Sequence, residues 1–419
     1  MRFWSTSVEE AVVNKQATGA GSPAIGRGEA GRAGADVRSD LFAAVELADA
    51  GGVQIEIASR VGRLYGKAIE AEARRVCEAL GVQHARLRVE DGGALDPVIG
   101  ARVESALRRA GVSGGDARPE RTVPPGEPTS RDRLRRSRLY LPGDQPKLSV
   151  NAGLHRPDGV ILDLEDSVHP GHKDSARLVV RNLLRTTDFM GAERMVRINP
   201  LPLGLEDLDA VAPEEPDVIL IPKVEDADTV RAVDARIRQR TERRVWLMPI
   251  LETALGIERA FDIASAVERV VALTIGLEDY TADLGVIKTV EGTESLYARS
   301  RLVNAAYAAG CQPIDSVFGD VGDEVGLRSW AARSRALGFE GMGCVHPRQI
   351  RPIHEAFAPS AVEVEKALRV VAAFEEAETK GLGVVSLGSK MIDPPVVKRA
   401  LRTVQIARRA GLLEEESDG

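Results

Sequence analysis

Residues 246–252 read WLMPILE, an apolar run that stops on one carboxylate, Glu252, before the text changes to TALGIERAFDIA (253–264). A short continuous apolar run followed by a helical pattern signals a strand buried on both faces, as in a parallel sheet covered by crossover helices. The charge at its end then marks the place where the strand leaves the core.

The alternation repeats on both sides of this run. Seven further strand-like runs are RLYLP (138–142), GVILDL (159–164), RMVRI (194–198), DVILIP (217–222), VVALTIG (270–276), QPIDSVF (312–318) and GMGCVH (341–346). Eight strand–helix units within residues 135–358 predict a (β/α)8 barrel of the TIM type, because closure at eight leaves no edge strand.

Side chains at the carboxyl ends of such strands converge on one rim. The polar residues ending the runs are DLED (163–166), Arg197, Lys223, Glu252, Glu278 with Asp279, Asp315 with Ser316, and His346. A charge at one strand end is ordinary, but several carboxylates on one rim repel unless a cation offsets them. Glu252 and Asp279, from the fifth and sixth barrel strands, would form a hard oxygen site suited to Mg²⁺, which often takes only one or two protein carboxylates. A cation there could grip an α-hydroxy or α-keto acid, with Arg197 binding a carboxylate or an oxyanion.

Composition narrows the partners. Of the 419 residues 43% are hydrophobic and 28% charged, which suits a globular protein, and the net charge of −7 argues against a nucleic-acid partner. No run approaches the length of a membrane span and the first residues lack a secretory apolar block, so a cytoplasmic location with no membrane partner is expected. Cys77, Cys311 and Cys344 are far apart and read as core residues rather than disulfides or a thiolate cluster, and the pair His169 and His172 reads as a solvated turn.

The chain divides by composition. Residues 1–37 read as a flexible tail, 38–111 as a small α+β domain with a helix starting at Ser59, and 112–134, rich in Pro, Gly and charge, as a linker. The barrel follows at 135–358, and 359–419 form a C-terminal helical extension the barrel does not need.

The motifs RRSRLYLPGDQP, GVILDLEDSVHPGHKDSAR, VRINP, IPKVE, LMPILETALGI, GLEDYTADLGV, VHPRQI and GSKMIDPPVV resemble, in order and spacing, the citrate lyase β subunit family, which includes malyl-CoA and citramalyl-CoA lyases. The resemblance implies a (β/α)8 barrel, a homo-oligomer built from trimers (a trimer or a hexamer), and Mg²⁺-dependent Claisen-type cleavage of a 3-hydroxyacyl thioester. The expected reaction takes a citryl-type thioester to oxaloacetate and an acetyl thioester; the alternatives are a free-CoA lyase for malyl-, methylmalyl- or citramalyl-CoA and a non-catalytic acyl carrier or scaffold. It assigns Glu252 and Asp279 to the metal and Arg197 to catalysis, and makes Asp393 of MID the acid that reaches a neighbouring subunit from a C-terminal lid. It places Glu165 and Asp166 behind the metal, and Arg136 and Lys173 near the phosphates of the thioester carrier. The smaller domain resembles the citrate lyase acyl carrier (γ) subunit, which bears a CoA-like arm on a serine. Aligned without gaps, that serine corresponds to Arg38; the adjacent hydroxyl is Ser39, so a prosthetic arm there requires a one-residue shift, and without it free CoA brings the acyl group. The chain then resembles a carrier fused to a lyase, with 112–134 as tether.

Overall fold

The computed structural model describes residues 26–379, 385–387 and 390–413; residues 1–25 of the expected tail lie outside them. The rest of that tail is not all irregular. Arg27–Gly31 form strand β1, which pairs antiparallel with β2 (Leu41–Leu47), so the first strand of the small domain hides in a Gly- and Ala-rich text. β4 (Ala85–Asp91) lies between β2 and β3 (Val53–Ser59), giving the order β1-β2-β4-β3. Strands β2 and β4 alternate buried positions with half-buried ones in β2 and mostly exposed ones in β4, and their buried side packs on α1 (Gly62–Ala79) and α2 (Asp96–Arg109). The expected helix start at Ser59 is displaced: Ser59 ends β3, donates to Asp91 at 2.7 Å and accepts the Val61 amide at 3.1 Å.

Strands β5 (Ser137–Pro142), β6 (Gly159–Asp163), β7 (Glu193–Arg197), β8 (Val218–Ile221), β9 (Trp246–Leu251), β10 (Ala272–Ile275), β11 (Gln312–Asp315) and β12 (Gly341–Cys344) form one closed parallel barrel, with β12 pairing back to β5. Every run named in the sequence overlaps one of these strands, with β5 and β7 starting one residue earlier than read. Alternate side chains serve two cores. Leu139, Leu162, Val196, Ile219 and Leu247 pack outward against the helices, whereas Ile161, Met195, Leu220, Met248 and Ile314 fill the lumen. The three cysteines are free and buried, and burial pushes the Cys344 thiol up to about 12. No helix among the described residues is long and apolar enough to cross a membrane.

The small domain is docked on the barrel by buried charge. Arg102 of α2 forks onto Asp40 at 2.8 and 2.9 Å, and also donates to Ser175 Oγ at 2.8 Å and to the Asp144 carbonyl at 2.9 Å. Glu104, two residues further along α2, is likewise buried and receives Arg181 at 2.6 Å. Asp144 follows β5 and Ser175 and Arg181 belong to the helix Lys173–Thr186 after β6, so the domain abuts loops that leave the barrel's carboxyl end.

The expected linker is pinned along the barrel rather than hanging free. The Thr122 and Val123 amides donate to the Arg185 carbonyl, Thr129 donates to Glu193 at 2.6 Å, and Trp246 Nε1 donates to the Thr129 carbonyl at 2.8 Å. At its end Arg135 forms a fully buried ion pair with Glu193 at 2.7 Å. Proline and charge, which read as solvation in the sequence, here supply an extended strap whose polar groups find partners on the barrel. After the barrel, the helix Ala361–Thr379 leads to β13 (Val385–Leu387), β14 (Lys390–Ile392) and the helix Pro394–Arg409.

Among the described residues Arg102 supplies the only guanidinium that Asp40 binds, so Arg102→Met leaves a buried carboxylate without its counter-charge, an effect of about 3–5 kcal/mol. The expected outcome is a lower unfolding midpoint together with faster amide exchange in both residues 26–110 and the helix Lys173–Thr186; unaltered exchange on either side refutes the docking.

Candidate active site

The carboxyl rim collects charge as the sequence implies, and the structure assigns each group its partners. Glu252 follows the last residue of β9 and is only 4% exposed. Its Oε1 accepts the Lys223 amide at 2.8 Å, while Oε2 lies against Gly276, where an added Cβ would come within 2.4 Å of it. The carboxylate thus sits in a cradle that exists because residue 276 has no side chain. Lys223 holds φ at +51°, a left-handed conformation costly for a residue that carries a Cβ and often kept at functional sites.

Burial, resisted by the Lys223 amide and reinforced by the charges of Glu165 and Asp279, pushes the Glu252 carboxyl up to about 8. Asp279 sits in the first turn of the helix Leu277–Leu284 after β10 and is half-buried. Both acids line one cavity of about 400 Å³ at the barrel mouth, with Arg197, Asp163, Asp166, Tyr140, Thr274 and Ser316 among its other walls.

Arg197 ends β7 and is held on three sides. Nε and Nη2 donate to Asp163 at 2.6 and 2.7 Å, Nη1 lies 2.6 Å from Glu165, and the guanidinium covers the Tyr140 ring at 5.3 Å. Burial alone would lower its pKa, but the hydrogen bonds and charge of Asp163 outweigh that and raise it, so it is a fixed cation. The Lys223 ammonium meets Glu165 at 2.6 Å and Asp166 and Asp279 at 3.5 Å each. Glu165 is buried and Asp166 exposed, and both face Lys223 and Arg197.

The structure does not bring every expected residue here. Arg136 precedes β5, at the opposite end of the barrel, and its backbone and side chain both bind Asp158; the local fork to Asp158 explains the residue without a phosphate. Lys173 stays near the rim, but its ammonium caps the Leu164 and Glu165 carbonyls at 2.8 and 2.5 Å, tying down the DLED turn, and burial lowers its pKa. Asp315 is fully buried and bound by Arg299 and Ser334, each at 2.5 Å, and His346 accepts the Arg348 amide, so both hold structure. Asp393 caps the helix Pro394–Arg409 by accepting the Val396 amide at 3.2 Å and is exposed; it does not line the mouth of its own barrel. Ser39 has φ +54°, its amide donates to the Gly92 carbonyl, and Arg38 beside it is exposed. Among the described residues no cluster of three or more side chains is preassembled as a metal cage. Asp163 and Lys223 gain partners that the run-end list alone did not suggest; the first acid of DLED falls at the last strand position, which is the signal for it.

Residues 136–347 match the profile of the HpcH/HpaI aldolase/citrate lyase family, which is half of the chain. The chain belongs to this family. Citrate lyase subunit beta of Escherichia coli (strain K12) is 39% identical over 291 residues, covering 68% of this chain and 96% of the relative. L-malyl-CoA/beta-methylmalyl-CoA lyase of Rhodobacter capsulatus is 32% identical over 311 residues, covering 68% and 98%. A crystal structure of the protein CitE from Mycobacterium tuberculosis, in complex with magnesium, acetoacetate and coenzyme A, matches with a TM-score of 0.55 at 31% identity, covering 67% of this chain and all of that one. Residues 29–110 separately match the profile described as malonate decarboxylase delta subunit, an acyl-carrier type. This member of the HpcH/HpaI aldolase/citrate lyase family is a carbon–carbon lyase with an acyl-carrier-like domain fused ahead of its barrel.

The raised Glu252 carboxyl has a pH signature. Its folded value of about 8 stands above the ordinary 4.5, so the folded state favours the protonated acid. The stability this contributes is full below about pH 4.5 and is lost as pH rises through about 8. Denaturant titrations in a chelator should show that loss, and Glu252→Gln, neutral throughout, should flatten it; a variant with the parent's slope contradicts the assignment.

Proposed function

We propose that the chain cleaves a 3-hydroxyacyl thioester of the citryl type, carried on CoA or an acyl carrier, to oxaloacetate and an acetyl thioester by Mg²⁺-dependent retro-Claisen chemistry. The observation that carries this reading is the pair Glu252 and Asp279 lining one cavity, close enough for the charge of Asp279 to raise Glu252. Two acids that oppose each other's ionisation fit a divalent cation, and the cavity leaves the other coordination positions to water and substrate. Glu252 and Asp279 are the residues that would hold Mg²⁺. When bound, Mg²⁺ supplies a Lewis acid for the α-hydroxycarboxylate of the substrate.

The chain's own residues do the rest. Glu165 and Asp163 fix Arg197, which stabilises negative charge on the keto-acid side as the carbon–carbon bond breaks. The substrate hydroxyl gives its proton to water and becomes the keto-acid carbonyl, while the electron pair of that bond passes to the acetyl thioester, whose enolate takes a proton from Asp393 of a neighbouring subunit. Trans delivery is supported by the position of the segment within its own chain. Arg402 of the helix Pro394–Arg409 binds Tyr307 and Glu340, and Glu340 lies just before β12, on the amino-terminal side of the barrel. This requirement calls for a homo-oligomer, which the resemblance makes a trimer or a hexamer. Glu165 and Asp166 stand behind the metal acids by holding Lys223 between them and Asp279.

The substrate is a small acyl thioester. The second reading within this chemistry is a free-CoA lyase for malyl-, methylmalyl- or citramalyl-CoA, favoured by the Arg38 side chain next to a half-buried Ser39 in place of an exposed serine. Intact mass separates the two, since a CoA-like arm adds its mass to Ser39.

Glu252→Ala should lose Mg²⁺-dependent release of keto acid from every thioester, and Asp393→Asn should lose roughly 10²–10⁴-fold in kcat. Neither homomeric variant is active alone, but oligomers reassembled from a mixture of the two recover turnover, because some mouths then combine an intact metal pair with an intact acid. Glu252→Ala cleaving at the parent's rate refutes the metal pair, and a mixture as inactive as its parts refutes trans protonation.

A further inference from the structure

The floor of the mouth cavity holds a cation to which the chemistry above gives no task. Arg138 is the second residue of β5 and is 1% exposed. In register it lies between Gly159 of β6 and Gly343 of β12, two positions without side chains. It lines the same cavity as Glu252, Asp279 and Arg197.

Its partners are poor for a buried charge. Nη1 donates to the Met248 sulfur at 3.0 Å, Nη2 to Thr274 Oγ1 at 3.1 Å and to the Asp315 carbonyl at 3.4 Å, and Nε has no hydrogen-bond partner. None of the ion pairs among the described residues includes Arg138; the carboxylate of Asp315 beside it is taken up by Arg299 and Ser334. A thioether is a weak acceptor, and a guanidinium presents five donors in a planar fork that matches a carboxylate. Burying a cation without an anion costs several kcal/mol unless something else supplies the charge. Burial does lower the Arg138 pKa, yet a guanidinium remains charged in a protein.

Malyl, citramalyl and citryl thioesters differ at one place. The carbon bearing the hydroxyl and the carboxylate carries a hydrogen in a malyl thioester, a methyl group in a citramalyl thioester and a carboxymethyl group in a citryl thioester. Only the last brings a second carboxylate to the keto-acid side.

We propose that Arg138 binds this second carboxylate, so that the lyase selects a thioester whose cleavage releases a dicarboxylic α-keto acid. The inference rests on the retro-Claisen reading of the same cavity. It gives the substrate a fixed orientation, with one carboxylate and the hydroxyl toward Glu252 and Asp279 and the other carboxylate on the floor. Thr274 and Met248 position the guanidinium from the opposite strands. Discrimination comes from the unpaired cation: a hydrogen or a methyl group in that place leaves Arg138 buried without an anion, a mismatch that polar sites punish more heavily than a missing methylene.

The test is a comparison of citryl-CoA, citramalyl-CoA and malyl-CoA with the full-length protein and with Arg138→Met, scoring keto acid released in Mg²⁺. The parent should prefer citryl-CoA, and the ratio of its kcat/KM to that for citramalyl-CoA should fall roughly 100-fold in the variant, largely through KM. As a readout independent of the variant's folding, the parent protein should bind oxaloacetate at least about tenfold more tightly than pyruvate by calorimetry in Mg²⁺. A parent that cleaves thioesters but ranks citramalyl-CoA first, binds pyruvate as tightly as oxaloacetate, or keeps its ratio in the variant overturns the role of Arg138 alone. A parent that cleaves none of the three removes the lyase reading and this inference together.

Discussion

The rim of this barrel is governed by an imbalance of charge in a confined space. Asp163, Glu165, Asp166, Glu252 and Asp279 face two cations, Arg197 and Lys223, and the most buried of the acids without a salt bridge, Glu252, responds by holding its proton up to about 8. Neighbouring features serve this arrangement. Gly276 makes the cradle, the left-handed backbone at Lys223 presents an amide to Glu252, and Lys173 ties the DLED turn so that Asp163 and Glu165 grip Arg197 from fixed positions. A strand that ends on a charge is thereby explained: the charge is kept from water by the strand beside it, and it answers to its neighbours more than to solvent.

The vertical order of the lumen matters as much as the rim. Apolar residues such as Ile161, Met195 and Met248 fill the barrel, and Arg138 enters the layer among them where glycines flank it on both sides. The cavity above is walled by Tyr140, Thr274 and Ser316, so a small polyanion meets acids at one edge and guanidinium groups at another. Such a two-sided site orients a substrate before any bond changes, and orientation alone supplies a large part of catalytic power.

Much of this was legible in the sequence, and for reasons that can be named. Parallel barrel strands are covered on both faces, so each of the eight appears as a compact apolar run, and a carboxylate such as Glu252 at its end stands out against that background. The residues that escaped did so because their meaning is set by partners far along the chain. Arg27–Gly31 has almost no β-forming side chains and becomes a strand through pairing with Leu41–Leu47. Arg136 sits in a basic run whose members scatter once folded: Arg135 goes to Glu193, Arg136 to Asp158 and Arg138 into the lumen. Arg138 could have been singled out only by noticing a charge at an inward position of an otherwise apolar strand, alternating with Tyr140.

The seam between the two domains has a mechanical consequence. Carrier proteins commonly work as shuttles, travelling between stations with their cargo. Here Arg102 and Glu104 rivet the small domain to the barrel, and the strap from Thr122 to Arg135 is sewn along the barrel wall. Its surface therefore turns with the barrel as one piece, and any cargo hung from it swings on a stationary pivot, with a reach fixed by the length of the hanging group instead of by the wandering of its bearer.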